Sequence, residues 1–139
     1  MTPELFIQQN ASDAIKSLYG AEVEASALQV QVTRKEFEGD YTLVVFPLLR
    51  MSHQSPENTG NAIGEWLKAN VSEVAGYNCV KGYLNILFSS LYWNELFADI
   101  AGAGNFGVLP STGKNIMVEF SSPNTNKPLH LGHIRNNLL

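Results

Sequence analysis

Apolar positions in the first twenty residues recur at helical spacing. Ile7, Ala11, Ala14, Ile15 and Leu18 form one stripe within 4–19, and Gly20 is the residue type that commonly closes a helix. The period then changes. Leu28, Val30 and Val32 alternate with Gln29, Gln31 and Thr33, which predicts a strand with one wet face. Glu38-Gly39-Asp40 predicts a turn, and 41–49 a second, mostly buried strand ended near Pro47, because proline cannot donate to a ladder. Ser55 followed by Pro56 is a helix start, with Ile63, Trp66, Leu67 and Val71 as its buried stripe to about residue 71. Residues 76–88 predict a hairpin about Lys81-Gly82, with Leu84, Ile86 and Phe88 toward one face and Asn85 toward the other. Ser89-Ser90 opens a third helix carrying Trp93, Leu96, Phe97, Ile100 and Ala101, and the glycines from Gly102 onward end it.

These elements predict an α+β fold over 1–103: about four antiparallel strands packed by about three helices. Residues 102–114 hold four glycines and a proline, so the boundary falls there, with 104–114 as a linker. A second apolar run, 115–120, predicts a buried strand. A loop rich in Ser, Pro and Asn follows over 121–128, then a helix from about Leu129.

Composition narrows the class. Of 139 residues, 45% are hydrophobic and 16% charged, enough apolar material for a core and unlike a disordered chain. No apolar run approaches the roughly 20 residues of a membrane span, and Met1-Thr2-Pro3-Glu4 lacks the basic start of a secretory signal. A cytoplasmic protein with no membrane partner is expected. The single cysteine, Cys79, excludes an internal disulfide and a cysteine-built zinc site, and reads as a core residue. No bound metal is expected, since only His53 and Cys79 could join His130 and His133 as ligands. Charge is uneven: 1–111 hold six basic and twelve acidic side chains, 112–139 three and one, giving −4 in all. That balance argues against gripping nucleic acid by bulk electrostatics, though not against a small, shape-directed RNA contact. The basic tail, with Lys114, Lys127, His130, His133 and Arg135, suits a small anion.

Two strings invite a nucleotide. Gly102-x-Gly104-x-x-Gly107 matches the dinucleotide fingerprint, but a helix precedes it where a strand is required, so it reads as linker. His130-Leu131-Gly132-His133 follows a strand and a polar loop, at a helix start where unpaired N–H groups and the helix dipole favour phosphate. Two imidazoles about one turn apart can donate to phosphate oxygens that gain charge as a nucleotidyl bond breaks, and Gly132 leaves room for a base or sugar. The same pair could instead simply cap a helix.

The longer string from Val118 to Leu139 (VEFSSPNTNKPLHLGHIRNNLL) closely resembles the first signature of class I aminoacyl-tRNA synthetases, specifically of arginyl-tRNA synthetases. The Gly39-Asp40-Tyr41 turn and Gly82-Tyr83-Leu84-Asn85 look like that family's N-terminal additional domain. The resemblance implies an arginine–tRNA ligase using ATP with Mg²⁺, arginine and tRNA-Arg, working as a monomer, with 115–139 opening a Rossmann-like catalytic domain. It implies that His130 and His133 engage ATP and stabilise its phosphates, with Gly132 under the nucleotide and Lys127 assisting in place of a lysine usually found in the second signature. Ser122 and Asn124 match positions near the α-amino group of the amino acid, and Glu119 lines the same pocket. Asn85 and Phe88 match the tRNA-elbow surface, where an amide reads a base edge and an aromatic stacks; Phe88 could equally be core. It further implies that the chain is an N-terminal fragment, inactive alone, whose tail has no sheet to join. Two rivals stand beside this reading: a small nucleotidylyltransferase with the same His-x-Gly-His site, which would carry it close to the N-terminus, and a non-catalytic RNA-recognition module.

Overall fold

A computed structural model describes residues 2–117, 123 and 126–138. It divides into two compact units, Met1–Gly104 and Asn105–Leu139. The first holds helix α1 (Pro3–Tyr19), strands β1 (Val30–Val32) and β2 (Tyr41–Val44), a short helix α2 (Leu49–Ser52), helix α3 (Pro56–Asn70), strands β3 (Val74–Val80) and β4 (Tyr83–Phe88), and helix α4 (Ser90–Gly102). The strands form one antiparallel sheet in the order β1-β2-β4-β3. The fold is therefore α+β, as the periodicities predict.

Local chemistry sets the ends of the helices. Thr2, Ser55 and Ser89 each accept a hydrogen bond from the backbone N–H three residues on, satisfying a donor that the first turn leaves free. Gly20 closes α1 with φ +66°, its N–H donating to the Lys16 carbonyl. Lys81 and Gly82 join β3 to β4 with φ +50° and +81°, the left-handed pair of a two-residue hairpin whose twist matches its strands.

Strand alternation separates two faces. Leu43, Leu84, Ile86 and Phe88 meet Ile7, Ala11, Ala14 and Ile15 of α1 and Ile63 and Leu67 of α3 in the core. Close packing of α3 on β3 requires its glycines: a Cβ at Gly60 would lie 2.3 Å from Cys79 Sγ, and one at Gly64 2.4 Å from the Tyr77 ring. The other face carries Gln31, Thr42, Tyr83, Asn85 and Leu87, with the segment between β1 and β2 folded over part of it. Asp40 ties that segment down, its carboxylate accepting from the Phe88 N–H at 2.8 Å and its own N–H donating to the Ile86 carbonyl at 2.8 Å.

Two expectations are corrected. The strand expected over 41–49 ends at Val44: Val45 turns into the right-handed helical region and Phe46–Leu48 coil into a 3-10 turn leading to α2. An apolar run reads alike for a buried strand and for a buried turn, and Pro47 takes the N-terminal helical position that needs no donor. Leu28 also lies outside β1, although it is buried.

In the second unit, 105–117 hold a turn, a bend and otherwise no regular element, and α5 spans Leu131–Leu138, starting two residues later than expected. Of the strand expected at 115–120, 115–117 belong to no regular element and 118–120 lie outside the described residues. Gly104 and Gly107 follow the C-terminal end of α4, so no strand delivers the glycine string to a helix.

Candidate functional site

Each unit carries one candidate site. In the second, His130 stands immediately before α5 and folds back on it. Its Nδ1 accepts from the Gly132 N–H at 3.1 Å, while His133 Nδ1 accepts from the His130 N–H at 3.1 Å. The two side chains thus cap reciprocally, as a serine and a glutamate do in a capping box. The ring centroids are 4.1 Å apart. With each Nδ1 an acceptor, the proton of each neutral ring sits on Nε2, and both rings present one N–H donor away from the helix start. A Cβ at Gly132 would lie 2.8 Å from His130 Cε1, so the glycine makes room for the capping ring. The capping and phosphate readings of these histidines are therefore compatible, because they use different nitrogens. Lys127 is exposed three residues earlier. Glu119, Ser122 and Asn124 lie outside the described residues.

In the first unit, Asn85 is 2% exposed although it sits on the face opposite the core. Its Oδ1 accepts from the Thr42 hydroxyl at 2.7 Å, and Thr42 Oγ1 lies 2.9 Å from Thr33 Oγ1. Its Nδ2 is buried with no hydrogen-bond partner among the described residues, as are the hydroxyls of Tyr19 and Tyr92. A donor left in that state costs about 1–3 kcal/mol. A pocket of about 150 Å³ adjoins it, lined by Gln31, Arg34, Phe37, Thr42, Tyr83 and Asn85 among others. Gly39 makes the close fit possible: a Cβ there would lie 3.0 Å from Asn85 Cβ, and its φ of +129° is a glycine conformation. The pocket offers cations at Arg34 and Lys81 and a half-exposed Tyr83 ring beside the buried Asn85 amide, which suits a planar, anion-bearing guest.

Phe88 does not share that surface. It is 4% exposed on the core face, stacked on Tyr92 at 4.1 Å and 13° and edge-on to Phe6, Tyr41 and Trp93. The expectation that it stacks on a base beside Asn85 is corrected: residues three apart on a strand point to opposite faces. Sequence reading also passes over Thr42, Thr33, Arg34 and Phe37. An alternating Thr and a polar turn carry no signal until β2 is paired with β4.

Among the described residues no group of three or more His, Cys, Asp and Glu is placed to hold a metal ion, and no helix is long and apolar enough to cross a membrane.

No protein-family model matches the chain. The chain is 52% identical over 129 residues to the arginine–tRNA ligase of Bacteroides thetaiotaomicron, covering 91% of this chain and 22% of that protein. It is 50% identical over 141 residues to that of Parabacteroides distasonis, covering 97% and 24%. To that of Amoebophilus asiaticus it is 43% identical over the whole of this chain and 23% of the relative. Among solved structures, Thermus thermophilus arginyl-tRNA synthetase superposes with a TM-score of 0.58 at 25% identity, over 97% of this chain and 21% of that one. The Plasmodium falciparum arginyl-tRNA synthetase shares the fold, with a TM-score of 0.57. The chain is thus related to arginine–tRNA ligases along nearly all its length, and spans a fifth to a quarter of theirs.

Proposed function

We propose that this chain is one segment of an arginine–tRNA ligase, a class I aminoacyl-tRNA synthetase acting as a monomer in the cytoplasm. The observation that carries the reading is the 52% identity with such a ligase across 91% of the chain, joined by 43% identity with another across all of it, both candidate sites included. The parent joins arginine to tRNA-Arg in two steps. The arginine carboxylate attacks the α-phosphorus of ATP, the bond to the β-phosphate breaks, and pyrophosphate leaves. The arginyl group of the adenylate then passes to a hydroxyl of the terminal ribose, releasing AMP.

Such chemistry needs positioning and charge stabilisation rather than a covalent nucleophile. His130 and His133 donate from Nε2 to the phosphate oxygens while their Nδ1 atoms hold the start of α5 in place. Gly132 lets the nucleotide approach, and Lys127 adds a positive charge to the departing pyrophosphate. Mg²⁺ comes to the site with the ATP phosphates. Glu119, Ser122 and Asn124 contact arginine. Residues 1–103 form the additional domain, 104–114 the linker, and 115–139 the opening of the catalytic domain. Asn85 reads an unpaired base of the tRNA elbow, with Tyr83 and Phe37 offering ring faces beside it.

The test is arginine-dependent ATP–pyrophosphate exchange by the parent polypeptide, with and without tRNA-Arg, beside the 139-residue chain. Exchange by the parent alone, requiring arginine and tRNA and reduced at least a hundredfold by His133→Ala, is expected. Absence of exchange with every amino acid would overturn the ligase reading in favour of a nucleotidylyltransferase. The pocket at Asn85 supports a second, compatible role as an RNA-recognition module. Binding of tRNA-Arg by the 139-residue chain, weakened by Asn85→Ala, is its expected signature; equal binding by both would remove it.

A further inference from the structure

Helix α4 is thinly covered for what it carries. Tyr92 is its one buried residue, stacked on Phe88, and Leu96 is its last side chain to pack against the core. Trp93 is 37% exposed, Phe97 71% and Leu91 61%. Trp93, Phe97 and Ile100 stand at i, i+4 and i+7 and so form one ridge, the spacing with which an apolar helix face enters a groove. The two charges of the helix, Glu95 and Asp99, fall on its other side, and no cation stands between Ser90 and Gly102. A helix of 13 residues draws its stability from tertiary packing more than from its own hydrogen bonds. From Phe97 onward α4 buries no side chain, so an apolar ridge stands without the cover that such a helix needs.

We infer that the ridge of Trp93, Phe97 and Ile100 docks in an apolar groove on the part of the same polypeptide that follows Leu139. This inference rests on the reading of the chain as one segment of a longer ligase: it spans 22% of its Bacteroides thetaiotaomicron relative, so most of such a protein lies outside it. Chemistry, area and tethering choose this occupant over the others. RNA does not suit the ridge, because a helix with two carboxylates and no cation repels a phosphate backbone. Nor does a separate copy. The helix is about 20 Å long and about 10 Å wide, a footprint on the order of a few hundred Å², short of the roughly 800 Å² per partner that a stable association of free chains requires. A tethered surface needs less area. The linker 104–114 follows α4 directly and reaches at most about 40 Å, which holds the chain beyond it at an effective concentration in the millimolar range.

The experiment puts a photo-cross-linking benzophenone side chain in place of the Phe97 ring in the parent polypeptide and maps the joined peptides by mass spectrometry, with and without tRNA-Arg. Expected is an intrachain link from position 97 to a peptide beyond residue 139. A link to a second copy, to tRNA or to a peptide within 1–139, or no link at all, would overturn the docking. Hydrogen exchange gives a second readout. The amides of 97–102 should exchange roughly ten- to hundredfold more slowly in the parent than in the 139-residue chain, the worth of covering one phenylalanine side chain. Phe97→Asp should return the parent to the rate of the 139-residue chain and leave thermal unfolding of that shorter chain nearly unchanged, because the ring is exposed there. Equal exchange in the two polypeptides would refute the inference. Failure of the ligase reading shows separately, as absence of arginine-dependent exchange between ATP and pyrophosphate, on which neither readout depends.

Discussion

Tyr77 shows how one neighbour sets the chemistry of a side chain. Its hydroxyl donates to Glu65 Oε1 at 2.6 Å, and that bond, helped by desolvation, pushes its pKa from the usual 10 up to about 12. The shift favours the protonated phenol in the folded state. The resulting stabilisation is therefore complete below about pH 10 and lost as the pH rises through about 12. Ultraviolet titration of the tyrosinate band should show a late-ionising phenol that moves toward the ordinary range in Glu65→Gln; an unchanged profile would count against the contact. Burial likewise pushes the Cys79 thiol up, which suits a packing role over a reactive one. That role is visible in a sequence holding one cysteine. The partner of Cys79 is not, because Gly60 comes nineteen positions earlier and meets it only after α3 lies on β3.

At the scale of elements, caps and turns are the most legible part of the chain, since their chemistry is local. Gly20, Ser55-Pro56, Ser89 and Lys81-Gly82 mark boundaries that the structure keeps. The end of β2 is not legible, because Val45 to Leu49 is apolar in any conformation and only the surroundings decide between strand and turn. Likewise Asn85 alternates outward from the core in the sequence, yet Thr42 and the 34–39 segment bury it from a distance. The signature around His130 is readable as a string, whereas the use of both Nδ1 atoms for capping is a matter of geometry alone. Two substitutions test the element contacts. Lys81→Asn, better suited to a positive φ, should stabilise the hairpin by roughly 0.5 kcal/mol in chemical denaturation. Gly60→Ala should destabilise by about 1–3 kcal/mol through its overlap with Cys79 Sγ, and adding Cys79→Ala should recover most of that loss. Additive effects in the double mutant would refute that contact.

For the molecule as a whole, charge and topology act on different properties. A chain of net −4 gains little from phosphate neutralisation, so under the proposed tRNA contact its affinity should fall with salt with a logarithmic slope of only about 1–2. A steep slope in a salt titration would mean that cations carry the contact and that the pocket does not. Topology governs the order of assembly. The β3–β4 hairpin closes through two residues and forms early as a local event, whereas β2 must return across some forty residues, including α3, before it can pair with β4. Folding kinetics should register this as a φ-value near zero for Thr42→Val and a higher one for substitutions within the hairpin. The hydrogen bond from Thr42 to Asn85 would then form only in the final descent to the native state, so a partly folded nascent chain would display β4 with its buried amide still open to water.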